Sequence, residues 1–191
     1  MDEFVVGERG RIDLLSIDDY LRGFEIKSDL DTLYRLPRQM EVFGSVFDYC
    51  TLIVTPRHLS AAREKLIRGW GLAVVERASS DELVYKQIRK PKPNKGADPL
   101  VMASLLWRDE ALHALDRLGA ASGLRSRPRD VLWSRLVQVT NQDELREIVT
   151  SALTERRGWR DVSAQRGSAE PRQPAGGSSR FLARRLRSPQ R

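Results

Sequence analysis

A single cysteine, Cys50, and two histidines, His58 and His113, are the only thiol and imidazole groups in 191 residues. One thiol excludes an intramolecular disulfide, and this set falls short of a zinc site, so any metal would be bound through oxygen. No run of about 18 apolar residues occurs, which excludes an ordinary transmembrane helix. The acidic start also lacks the basic segment and apolar stretch of a secretory signal. These absences predict a cytoplasmic protein without a membrane partner. Charge excess is equally scarce outside the C-terminus. The net charge is +7, but residues 163–191 hold seven arginines against one acid, Glu170, so six of the seven charges fall there. Total basicity therefore says little about the folded part.

The remaining composition, 40% hydrophobic and 31% charged, suits an ordinary globular fold with an appendage. Residues 11–15 and 23–27 read as two strands of a hairpin, with Asp18 and Asp19 in the turn between them. Residues 28–36 have helical spacing and predict a short helical turn. Pro37 then opens a helix over 37–47, which places Gln39 in its first turn. Residues 49–55 and 72–76 are apolar, β-rich runs separated by an amphipathic helix over 57–68. Strands separated by helices imply a parallel pair within a mixed sheet. An edge strand over 83–89 leads into a basic, proline-punctuated loop at 90–96. Helices follow over 99–118, 128–139 and 141–157, the last opened by Asn141 with Glu144 three residues on. Residues 163–191 are too poor in apolar side chains to bury a core and are expected to be disordered. The organisation expected is thus a core over 1–96, a helical extension over 97–162 packed on or beside it, and an arginine-rich tail.

Within the hairpin, Gly23, Phe24, Glu25, Ile26 and Lys27 carry the chemistry. Alternation along a strand puts Glu25 and Lys27 on one face and Phe24 and Ile26 on the other. Asp13, on the preceding strand, comes close to Glu25 if the two strands pair. Two carboxylates can hold a hard cation, and a lysine beside them can handle a proton or phosphate charge. Taken alone, a Glu-x-Lys is common on exposed strands and is a weak signal.

The order Asp13, then Glu25-Ile26-Lys27, then Gln39 followed by Phe43 resembles the PD-(D/E)XK nuclease superfamily. The stretches Arg-Ile-Asp, Gly-Phe-Glu-Ile-Lys-Ser-Asp-x-Asp and Arg-Leu-Pro-Arg-Gln look like a small, poorly characterised bacterial and phage group within it. The resemblance covers residues 1–76. It implies a restriction-endonuclease-like α/β fold, a mixed β-sheet flanked by helices, and a divalent-metal-dependent nuclease acting on DNA in repair or defence. Asp13, Glu25, Lys27 and Gln39 would be catalytic. Asp13, Glu25 and the Ile26 carbonyl would hold Mg²⁺ or Mn²⁺, with Glu3 or Glu8 as a further acid and Glu3 as a further ligand. Arg35, Lys90, Lys92, Lys95, Arg184 and Arg185 would meet nucleic acid. The competing reading is a catalytically degenerate relative that binds nucleic acid or serves in assembly, with a protein partner or a second copy.

Plainer expectations cover the other residues. Tyr34 is expected in the core rather than as a base-stacking platform, Cys50 is a small apolar group in a buried strand, and the histidines are structural or exposed. Asp29 answers a helix dipole, and Asp31 is spaced to pair with Arg35.

Overall fold

The structure is a computed structural model and describes the backbone of residues 2–6 and 10–161, with the side chains of 6 and 10–156. Six strands form one sheet in sequence order: β1 (Asp2–Val6), β2 (Gly10–Ile17), β3 (Leu21–Lys27), β4 (Tyr49–Val54), β5 (Gly71–Arg77) and β6 (Leu83–Arg89). The central pairs β3/β4 and β4/β5 are parallel and the outer pairs antiparallel. The sheet is therefore mixed and flanked by helices, as expected, although the sequence reading did not foresee β1.

Parallel neighbours need crossovers, and two are present. Helix α1 (Leu36–Gly44) joins β3 to β4, and a 3-10 turn (Pro56–His58) with helix α2 (Leu59–Lys65) joins β4 to β5. Leu36, Met40 and Phe43 form the buried stripe of α1, and they pack with Phe47, Leu52, Val54, Leu72 and Val74 in the main core. Gly23 makes this approach possible. A Cβ there would lie 2.5 Å from Ile12 Cδ1 and 2.7 Å from Phe47 Cδ2, closer than carbon atoms can stand. A smaller cluster, Ile26, Ile53, Ala73 and Val75 with Phe24 and Leu83, occupies the opposite face.

The same main core continues into the helices after β6: α3 (Pro99–Ala103), α4 (Arg108–Arg117), α5 (Arg129–Val139) and α6 (Gln142–Asp161). Helix α6 starts with a reciprocal cap. Asn141 Oδ1 accepts from the N–H groups of Asp143 and Glu144 at 3.0 Å each, while Glu144 Oε2 accepts from the Asn141 N–H at 2.8 Å. The single helix expected over 99–118 is instead broken between α3 and α4. Glu110 Oε2 accepts from the Trp107 N–H at 2.7 Å, which starts a new helix at Arg108. The carbonyls of Leu105 and Leu106 accept from Arg156 Nη2 at 3.0 Å and Trp133 Nε1 at 3.1 Å. Apolar spacing could not reveal this break, because the groups that complete it come from far along the chain.

Residues 28–36 also depart from expectation. They form a turn, with the Asp31 N–H donating to the Ser28 carbonyl at 3.1 Å, before α1 begins at Leu36. Pro37 stands at the second helical position, where its missing N–H costs no helical bond, and so belongs to the first turn of α1. Residues 163–191, expected to be disordered, lie outside the described residues.

Candidate functional site

The period of the strand puts Glu25 and Lys27 on the face that α1 covers, so both are buried, at 2% and 5% exposure. Lys27 Nζ donates to Glu25 Oε1 at 2.8 Å, and Gln39 Nε2 donates to the same oxygen at 2.5 Å. Gln39 is therefore not a solvent-facing residue of α1. Asp13 joins from β2. The β2/β3 register runs from Ile17↔Leu21 to Leu14↔Phe24, and next to it Asp13 Oδ2 accepts from the Ile26 N–H at 2.9 Å. Asp13, Glu25, Lys27 and Gln39 thus meet at one place, from two strands and one helix.

Burial pushes the Glu25 carboxyl above its ordinary range, and the Asp13 charge adds to this, while Lys27 and Gln39 pull the other way. Two buried oxygens, Glu25 Oε2 and Gln39 Oε1, have no hydrogen-bond partner among the described residues. A buried polar atom left unpaired costs about 1–3 kcal/mol. With Glu25 ionised both are acceptors, so neither can satisfy the other. A hard divalent cation can, since it takes carboxylate and amide oxygens together. Among the described residues no group of three or more His, Cys, Asp or Glu side chains could hold a metal. An ion would thus draw on Asp13, Glu25 and the Gln39 amide. Ile26 has its N–H held by Asp13 and its side chain in the smaller core cluster. The side chains of Glu3 and Glu8 lie outside the described residues.

Lys27 ends β3 opposite Val54, the last residue of β4, so the cluster sits at the carboxyl ends of the parallel strands. Open α/β sheets commonly receive ligands at such ends. Loop 28–35 forms the rim. Asp31 Oδ2 accepts from the Ser28 N–H at 2.8 Å and Ser28 Oγ at 2.6 Å, and Thr55 Oγ1 donates to Asp29 Oδ1 at 2.5 Å. Arg57 Nη1 donates to the Asp29 carbonyl at 3.0 Å, and His58 Nε2 lies 3.0 Å from the Ser28 carbonyl. Asp29 and Asp31 therefore pin the loop instead of facing a helix dipole. Arg35, expected to pair with Asp31, has no ion pair among the described residues, and neither has Arg38. Tyr34, expected in the core, is 90% exposed, and Leu30 is 79% exposed.

Lys90, Lys92 and Lys95 are exposed but belong elsewhere. The Lys92 N–H donates to the Gly69 carbonyl and the Asn94 N–H to the Asp48 carbonyl, each at 2.8 Å, immediately before β5 and β4 begin. This loop thus crosses the amino ends of the parallel strands, about 20 Å from the carboxyl ends for strands of this length. The three lysines do not share a surface with Arg35. Arg184 and Arg185 lie outside the described residues. Sequence reasoning missed Leu30, Arg38, Arg57 and Thr55 as rim residues. The run Ser28, Asp29, Leu30, Asp31 ahead of Pro37 carries turn chemistry that competes with the helical spacing, and it was the available signal.

A family model described as Bacteriophage P4 protein cII matches residues 1–167. Protein cII of Enterobacteria phage P4 is 29% identical over 160 residues, which are 82% of this chain and 58% of that protein. The chain thus spans less than two thirds of the curated relative's length. No solved structure matches. These findings overturn the nuclease expectation: both matches are to protein cII, and neither is described as a nuclease. The hydrolase reading falls with it, and the metal-binding reading gains no support from either match. No helix among the described residues is long and apolar enough to cross a membrane. The chain belongs to the family of bacteriophage P4 protein cII.

Proposed function

We propose that this protein binds nucleic acid, DNA in particular, through a divalent cation held at the carboxyl end of β3. The observation that carries the reading is the pair of buried, unpartnered oxygens, Glu25 Oε2 and Gln39 Oε1, beside Asp13. Mg²⁺ or Mn²⁺ would be held by these three residues. Such ions typically keep part of their coordination shell for phosphate oxygens. The ion would supply a positive charge able to bridge carboxylates and phosphate, which otherwise repel. Arg35 and Arg38, exposed and without ion pairs among the described residues, stand at the start of the same helix that carries Gln39 and suit further phosphate contacts. A cytoplasmic location goes with this reading.

Calorimetric titration with Mn²⁺ and fluorescence anisotropy with labelled DNA test it together. Wild-type protein is expected to bind Mn²⁺, and its DNA affinity should fall at least tenfold in EDTA. Glu25→Gln should lose both effects while remaining folded, as circular dichroism checks. Absence of Mn²⁺ binding, or DNA affinity indifferent to EDTA, would overturn the reading.

A further inference from the structure

We infer that Tyr34 forms a stacking platform, and that the nucleic acid taken at this face has unpaired bases; this rests on the function proposed above. Isolated apolar side chains on a surface need no explanation, but this ring has three unusual features. First, its loop is ordered by its own chemistry. Asp29, Asp31, Ser28, Thr55, Arg57 and His58 tie the backbone down through the hydrogen bonds already described. Leu33 and Leu36 anchor it in the core at 7% and 0% exposure. Tyr34, between them, projects outward and is 90% exposed, so its ring is open to an incoming planar group. A tyrosine held on a pinned loop loses little conformational freedom when a base stacks on it.

Second, the neighbouring charges suit a phosphate chain. Arg35 follows Tyr34 directly and Arg38 lies one turn on, both exposed, whereas the two loop acids are engaged by Thr55 and Ser28. Third, the platform is continuous with the cation site, because loop 28–35 leaves β3 at Lys27 and enters α1 one turn before Gln39. A strand whose phosphate meets the ion would bring its adjacent base to this rim. Aromatic rings beside cations bind single strands because the base faces are free, whereas bases in a duplex are already stacked and paired.

The test uses the full chain with a fluorescein-labelled 20-nucleotide single strand and the duplex of the same sequence, by anisotropy in Mn²⁺. The single strand is expected to bind at least tenfold more tightly than the duplex. Tyr34→Ala should weaken single-strand binding roughly tenfold, and Tyr34→Phe should retain it. Duplex binding should be unchanged by either substitution, as should the melting temperature, because the side chain is exposed. If Mn²⁺-dependent DNA binding persists with Tyr34→Ala unaltered, or if the duplex is preferred, the platform is overturned while the proposed function stands. If wild type but not Tyr34→Ala sediments as a dimer, the platform belongs to a second copy and the inference fails. If no DNA binds at all, the proposed function fails and takes the inference with it.

Discussion

Glu25 and Asp48 are carboxylates buried almost equally, at 2% and 3% exposure, near opposite ends of the parallel strands, and they are partnered in opposite ways. Asp48 has both oxygens occupied. Oδ2 accepts from the Leu21 N–H at 2.8 Å, and Oδ1 accepts from Arg146 Nε at 2.7 Å, which ties α6 to the sheet. Glu25 has two donors on one oxygen and, among the described residues, none on the other. A carboxylate kept for structure is satisfied on both sides, because leaving either side bare costs stability. The difference marks the carboxyl end as the place prepared for a ligand and the amino end as a joint between sheet and helices.

That contrast can be broken most severely at the joint. Asp48→Ala leaves Arg146 Nε and the Leu21 N–H without their acceptor, although Arg146 Nη1 keeps Asp143, and should lower unfolding stability by about 2–4 kcal/mol in urea titrations. A loss below 1 kcal/mol would show that the amino end is not a structural lock. Gly23→Ala comes next, at roughly 1–3 kcal/mol, because the new methyl must displace Ile12 and Phe47. Since Phe47 holds the turn after α1, the same variant should also weaken Mn²⁺ binding if Gln39 shifts with the helix.

Glu25→Gln should behave in the opposite sense to Asp48→Ala. The folded protein holds the Glu25 proton more tightly than the unfolded chain, whose carboxyl titrates near 4.5. In the window from that value up to the raised folded value, the unfolded chain binds fewer protons. The slope of stability with pH is therefore negative there. Without metal, this residue makes the wild type lose stability as pH rises through that window, and Glu25→Gln should remove that loss. Urea titrations between pH 4 and 8 in EDTA measure it; a stability that rises in step for both proteins would contradict the burial assigned to Glu25. Mn²⁺ should then raise the melting temperature of the wild type by a few degrees and leave Glu25→Gln unmoved. Tyr34→Ala should shift stability by less than about 0.5 kcal/mol, the smallest effect, since its side chain packs against little.

Much of this was legible without coordinates because it rests on local rules. Alternation placed Glu25 and Lys27 together opposite Phe24 and Ile26, and the reciprocal cap of Asn141 and Glu144 involves neighbours three residues apart. Other elements misled. Spacing alone favoured a short helical turn within 28–36, yet Ser28 and Asp31 close a non-helical turn, and Tyr34 beyond it is exposed. The lysines of the loop after β6 were expected, like Arg35, to meet nucleic acid, but a loop's position relative to the strands follows from its long-range anchors. Here these are Asn94 Nδ2 bonded to the Gly44 and Phe47 carbonyls at 2.5 and 3.0 Å.

Strand periodicity and hairpin connection act over few residues, so the shared face of Glu25 and Lys27 and the nearness of Asp13 were readable along the chain, whereas the order of the six strands was not. Packing of distant segments settled that this face is buried beneath α1 and that Gln39 reaches Glu25. It also left one oxygen of each without a partner among the described residues, whereas Asp48 is fully paired. Burial and hydrogen-bond satisfaction depend on what packs against a residue from distant parts of the chain, and no local pattern carries that information.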